Sequence, residues 1–256
     1  MLLRHVTAVA LILAIVGCSR QDLLQKFTTP EEQAAAEGYI DLLRQQQYEA
    51  IEKAMDPSIA GPSIRQTLVA MAAIIPASKP MSVTLVGAQR FKSASYSTIN
   101  LSFEYHYPTK WLVTNVALKQ QGDSRTIVGF HVYPQSTSLE ERNRFRLAGK
   151  TPLEYLVLVL AVVVPLFIIF TLIVCIRTKL RGRKWPWVLF ILFGVGRLAV
   201  NWTTGEWSTG LLSFQLFGAS GAAQLYGPWI LAVSVPIGAM IFLLNRSKLR
   251  ALQSPD

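Results

Sequence analysis

Apolar positions recur at helical spacing in the first third of this chain, at every second position in the middle, and almost without interruption in the last third. Thr29, followed by Pro30, Glu31 and Glu32, is a helix start, with Thr29 as the cap and Pro30 in the first turn. Ala35, Tyr39, Leu42 and Leu43 then fall on one side, leaving Glu37, Asp41 and Arg44 toward water. Tyr48, Ile51, Ala54 and Met55 make a second stripe, and Ile64, Leu68, Met71 and Ile75 a third, with Asp56-Pro57 and Gly61-Pro62 between them. Period two takes over at Met81, Val83 and Leu85, and Ile99, Leu101, Phe103, Tyr105 and Tyr107 form the clearest strand. Residues 111–118 are apolar on both faces, as in a covered central strand. Residues 127–133 close the series before Pro134, and Gly122-Asp123 supplies the last turn.

The final third is built for a different solvent. Residues 155–176 carry no charge, and Arg177, Lys179, Arg181, Arg183 and Lys184 follow at once. That pairing predicts a membrane span with its C-terminal end in the cytoplasm. Hydropathy adds two further expected spans, at about 185–202 and 225–244, making an all-helical membrane domain over 155–245 with a cytoplasmic tail at 246–256. Pro165 is expected to kink the first span, and Trp187 and Trp202 to sit at the two interfaces of the second. The glycine-punctuated stretch 207–223 is expected to lie on the membrane or re-enter it. Arg197 is costly inside a span, so it either snorkels to headgroups or pairs with Glu206; both residues are candidates for membrane function.

The N-terminus agrees with export. Arg4 and His5 precede an apolar stretch at 6–16, and Ile15-Val16-Gly17-Cys18 resembles the bacterial lipobox, which implies a signal over 1–17 and acylation of Cys18, as by palmitate. The alternative leaves Cys18 an ordinary residue. A tether over 18–29, an extracytoplasmic α+β domain over 30–135 and a juxtamembrane linker over 136–154 complete the expected organisation. The formal charge of +10 changes little: residues 19–150 hold fifteen Lys or Arg against twelve Asp or Glu, and most of the excess flanks the apolar runs. Nucleic-acid binding is therefore not expected. Cys175 is the only other cysteine, so neither a disulfide nor a metal cluster is expected, and nothing calls for a cofactor. Asn201-Trp202-Thr203 matches a glycosylation sequon, which has no bearing on a bacterial lipoprotein.

Helices followed by an antiparallel sheet, with a reversal at 45–48 and the closing strand Val128-Gly129-Phe130-His131-Val132-Tyr133-Pro134, resemble the nuclear-transport-factor-two-like, or cystatin-like, superfamily, especially its bacterial envelope members behind a signal. The resemblance implies a curved, cone-like sheet around the helices. Enzymes of that superfamily set Asp and His on the cone's inner wall. The candidates here are His106, His131, Glu104 and Asp123, with Asp41 and Asp56 on the helical side, and they do not define a triad. Tyr105, Tyr107 and Trp111, with His131, are the candidate ligand-binding residues, suited to a small apolar or peptide ligand; the same aromatics equally complete a core. Strand alternation puts His131 on the face of Ile127 and Gly129.

The expected role is a binding or scaffold protein of the bacterial inner membrane, with residues 30–135 outside and the lipid bilayer or another envelope protein as partner. Two alternatives stay open: a component of an oligomeric transporter or channel using Arg197 and Glu206, and a small-cavity enzyme using His106 or His131. Gly194, Gly196, Gly238 and Ala239 are small enough for close helix packing.

Overall fold

Thr29 opens helix α1 (Pro30–Arg44) with a reciprocal cap, its hydroxyl accepting from the Glu32 N–H at 3.3 Å while the Glu32 carboxylate accepts from the Thr29 N–H at 2.9 Å. The computed structural model describes residues 24–180 and 182–249, divided along the chain into one unit ending at Glu141 and a second beginning at Arg142. Cys18 and the signal segment lie outside the described residues.

The first unit is a globular α+β domain. Helices α1, α2 (Tyr48–Ala54) and α3 (Ile64–Ile74) cover one face of a four-stranded antiparallel meander, β1 (Ser82–Lys92), β2 (Ser97–His106), β3 (Trp111–Gln121) and β4 (Ser124–Gln135), in sequential order. A one-turn helix α4 (Leu139–Arg142) follows. The buried side of α1 is Ala36, Ile40 and Leu43, one position round from the predicted stripe, which draws Glu37 partly under cover. Ile99, Leu101, Phe103 and Tyr105 of β2 meet Leu112, Val116 and Leu118 of β3 in a sealed core beneath the helices. Two bulges interrupt the ladder, at Val86 on β1 and Val128 on β4, where the partner strands advance by one residue fewer.

The expected cone is not formed. The sheet is open, with β1 and β4 as separate edges. Closing a cone requires long, strongly coiled strands that bring the edges round the helix. Strands of ten to twelve residues with one bulge on each outer strand stop short of that.

The second unit departs further from the sequence expectation. Helix α5 (Pro152–Arg177) runs 26 residues, long enough to cover about 39 Å, and is capped by Thr151 and Glu154 as α1 is by Thr29 and Glu32. Among the described residues it is the one helix long and apolar enough to cross a membrane. The expected second span is instead helix α6 (Trp185–Leu192) followed by strand β5 (Phe193–Asn201). The expected third is strand β8 (Trp229–Val235) followed by helix α7 (Ile237–Leu249). The stretch 207–223 is two strands, β6 (Trp207–Leu216) and β7 (Ala219–Ala223), and the four strands form an antiparallel sheet in the order β6-β5-β8-β7.

The physical reason is that an apolar run satisfies a buried strand as well as a helix. Glycines lower helix propensity through this region, and Pro236 sits just ahead of α7, where its missing N–H is harmless. Gly218 adopts φ +67°, and a Cβ there would lie 2.6 Å from Val164, so both the β6–β7 turn and the approach of α5 demand it. Gly238 lets α7 reach the Phe190 carbonyl of α6, which any side chain would block. One stripe of α5 is covered along its whole length: Val157 packs with Val200, Leu231 and Val233 of the sheet, and Val164, Ile168 and Cys175 pack with Ile191, Ala239 and Phe242 of the short helices.

Candidate functional site

The helix-free face of the first sheet collects the unused chemistry of that unit. In an antiparallel ladder, directly opposed residues share a face. The pairings therefore put Ser102, Asn115 and His131 in one row, Glu104, Val113 and Tyr133 in the next, and His106, Trp111 and Gln135 in a third. Asn115 anchors the first row by donating from Nδ2 to Asn100 Oδ1 at 2.6 Å and to Ser102 Oγ at 2.9 Å. His106 and Trp111 stack face to face at 3.9 Å with an interplanar angle of 7°, and His131 stacks on Tyr133 at 5.8 Å. Tyr133 is half exposed and His131 exposed. The result is two aromatic–imidazole pairs flanking an amide and hydroxyl network on rigid strands.

Glu104 lies on this face yet is buried, because the chain after β4 folds back over it. Its carboxylate accepts from the Leu139 N–H at 2.5 Å, tying down the first turn of α4, where Ser138 Oγ also accepts from the Glu141 N–H at 3.2 Å. Burial pushes the Glu104 carboxyl above its usual value, against the pull of the Leu139 N–H. This makes Glu104 a structural tie rather than a free acid. Asp56 binds Ser58 through hydroxyl and N–H at 2.7 and 3.0 Å and Lys119 at 3.2 Å, contacts that hold it down to about 2. Asp41 pairs with Arg44 at 3.2 Å, and Asp123 sits in the β3–β4 turn.

The four proposed ligand residues divide between the two faces. Trp111 and His131 belong to the open face. Tyr105 and Tyr107, 5% and 1% exposed, lie beneath the helices, and burial raises both phenols. His131 is on the face opposite Ile127, because the Val128 bulge inverts the alternation that sequence spacing implies. Tyr133, Asn115, Asn100 and Ser102 were not singled out from sequence. Their signal was the polar phase of β2 and β3, which reads equally well as plain solvated surface. Among the described residues no three His, Cys, Asp or Glu side chains cluster as metal ligands would.

In the second unit, Arg197 is exposed on β5 opposite Gly210, while Glu206 lies in the turn where its N–H and carboxylate meet Thr204. Glu206 pairs through its carbonyl with Asn201, four residues along β5 and so about 13 Å from Arg197. Trp202, expected at a lipid interface, is 1% exposed. Its indole N–H donates to the Arg146 carbonyl at 2.8 Å, Phe145 stacks on it at 4.8 Å, and Lys150 sits 5.2 Å over the ring.

No family model, curated protein or solved structure matches this chain at a significant level. The resemblance to the cystatin-like superfamily therefore reduces to an α+β domain joined to one candidate membrane-spanning helix.

Proposed function

We propose that this chain is a binding protein held in the bacterial inner membrane by α5, with the open face of the first sheet as its recognition surface. The observation that carries the binding half is the asymmetry of that sheet: one face is sealed by helices, while the other presents Trp111, His131 and Tyr133 around the Asn115 network. Flat rings beside paired amides suit a peptide or a partner protein's surface, offering apolar area and hydrogen bonds together. Anchoring is supported by α5, whose most apolar stretch is only 22% covered, unlike the core helix of a soluble protein. Arg246 donates to Thr178 Oγ1 at 3.1 Å, so the basic C-terminal segment and the basic cluster after α5 share one end of that helix. In this reading that end is cytoplasmic, residues 30–135 face outward, and an acylated Cys18 adds a second anchor.

Photo-crosslinking residues placed at His131 and Tyr133 of the full chain in intact membranes test the surface, with Lys53 as the helix-side control. Adducts at 131 and 133 that vanish on Trp111→Ala, with none at 53, support the reading. Adducts at 53 alone, or adducts indifferent to Trp111, reject it.

A further inference from the structure

The outward face of α6 leads from charge into an apolar groove. Trp185 and Leu189 stand one turn apart on that face, 59% and 48% exposed. Leu189, Phe190, Phe193, Val195 and Phe214 then line a groove of about 360 Å³. Its floor is β5 and β6, where Phe214 opposes Val195 and the Phe217 N–H donates to the Leu192 carbonyl at 2.8 Å. Between Phe193 and Val195, Gly194 faces Ser234 and Gly218, and Gly218 meets α5 at Val164. Alternation therefore turns the groove to the other side of the sheet, away from α5.

The mouth of this groove is basic. Lys184 immediately precedes α6, about 8 Å along the helix axis from Leu189, and its Nζ donates to the Ile176 carbonyl at the end of α5 at 2.7 Å. Arg177, Lys179 and Arg183 are exposed in the same link, and the bond from Arg246 to Thr178 Oγ1 brings the last turn of α7, with exposed Lys248, to that end. The two acids in the described part of this unit lie at the opposite end of α5. Glu154 caps the helix there, and a Cβ at Gly205, next to Glu206, would lie 3.6 Å from Glu154 Oε2. A basic mouth with no acid near it is complementary to a phosphate diester. Depth agrees. Gly218 meets Val164 and Ile168 and adjoins Gly194, so the start of β5 is level with the middle of α5. From Ile168 to Arg177 the helix rises about 14 Å, and one leaflet holds about 15 Å of hydrocarbon.

We propose that the groove and its basic mouth bind one anionic phospholipid of the cytoplasmic leaflet, with the phosphate among Arg183, Lys184, Arg246 and Lys248 and one acyl chain along Leu189, Phe193 and Phe214. The inference rests on α5 spanning the bilayer. Charge selects the headgroup, because a choline or ethanolamine cation would meet like charge at the mouth. Trp185 sits between the two parts, at the level where an indole favours the interface. Size selects a chain: a groove near the lower end of small-molecule sites, roughly 300–1,000 Å³, suits a flexible chain better than a helix about 10–12 Å across.

The test uses the full chain in phosphatidylcholine nanodiscs with a trace of phosphatidylglycerol carrying a diazirine on one acyl chain, and peptide mass spectrometry locates the adducts after irradiation. The expected adducts fall on Leu189, Phe190, Phe193 or Phe214, and unlabelled phosphatidylglycerol displaces them. Arg183→Gln and Lys248→Gln, one exposed charge from each converging segment, each lower the labelling, by roughly fivefold per charge. Lys92→Gln, exposed on the first unit, leaves it unchanged. Leu189→Trp fills the groove and lowers the labelling with no change of charge. Equal labelling by a phosphatidylcholine probe with the same chain, or labelling indifferent to Arg183 and Lys248, overturns the proposal in favour of bulk lipid. Adducts confined to the exposed side of α5 overturn it in favour of no groove site, and displacement by inorganic phosphate at constant ionic strength overturns it in favour of a soluble anion. Alkaline carbonate extraction is read separately. Release of the wild-type chain removes the spanning reading and the site with it, whereas retention with equal labelling removes only the site.

Discussion

The two sheets of this protein have the same strand number and the same antiparallel sense, but they hide and show opposite things. Sheet one buries Phe103, Tyr105 and Phe130 under three helices and turns Trp111, Tyr133, amides, imidazoles and a tied carboxylate outward. Sheet two leaves leucines and phenylalanines bare on an edge strand, beside a helix most of whose girth is exposed Leu, Val, Ile and Phe. Exposed apolar side chains occur in the first unit too, at Val69, Met81 and Phe91, but scattered as any soluble surface has them. Contiguity is the difference. It teaches that the first sheet presents the surface of a domain in water, whereas the contiguous apolar surface of the second fits the membrane placement proposed for α5.

Emptying the core beneath the helices is expected to break that comparison most severely. Phe103 is 1% exposed at the centre of β2, and Phe103→Ala removes a ring that its sealed surroundings cannot replace, at a cost of about 3–5 kcal/mol. Thermal melts of the full chain in nanodiscs should lose the transition of the first unit while carbonate retention stays intact. Loss of both together would mean that the two regions fold as one.

A lysine on an exposed apolar position asks which solvent each region meets. Leu166 is 58% exposed in the middle of α5, and Met81 is 66% exposed at the start of the first sheet. In water both changes to lysine fall within about 0.5 kcal/mol of neutral. In a bilayer, Leu166→Lys costs about 2.5–3.5 kcal/mol of insertion and Met81→Lys still costs nothing. Carbonate-resistant fractions of the two variants measure this directly, and equal retention would end the two-solvent account.

A milder break tests the turn that joins β6 to β7. Gly218→Ala adds a methyl 2.6 Å from Val164 on a backbone with φ +67°, a strain of about 1–3 kcal/mol. Tryptic cleavage in the basic stretch after Arg177 should accelerate in detergent, with the first unit's melt unchanged.

How legible each region was follows from the same contrast. Water on one side of sheet one imposes alternation, so its strands and its final turn could be read from residue order, while whether Tyr105 lines a pocket or fills the core could not. The face of His131 could not, because the Val128 bulge adds a residue without leaving a mark in composition. In the second unit the strands are apolar on both faces, so alternation disappears and 185–202 and 225–244 look like spans. The marks that distinguish them are local: Gly194 and Gly196, which lower helix propensity in the first, and Pro236 in the second, where strand gives way to helix. Arg197 and Glu206 could be paired on paper as neighbours of one helix end, but strand rise sets them apart.

The smallest expected effects sharpen the water-facing side of the comparison, where two carboxyls respond to pH with opposite signs. Asp56, held down to about 2 by Ser58 and Lys119, stabilises the fold above its ordinary 3.8 and loses that contribution as pH falls through 2. Glu104, pushed up by burial, contributes most below its ordinary 4.5 and loses that contribution as pH rises through its folded value. At pH 7 Asp56→Asn should therefore lower the melting temperature of the first unit and Glu104→Gln should raise it, each by a few degrees at most. Glutamine keeps an oxygen for the Leu139 N–H while shedding a charge the site penalises. The first difference should vanish below pH 2 and the second already below 4.5. If Glu104→Gln instead destabilised the unit at pH 7, the charged acceptor at Leu139 would outweigh its own desolvation, and the strap over the open face would be held by charge rather than by shape.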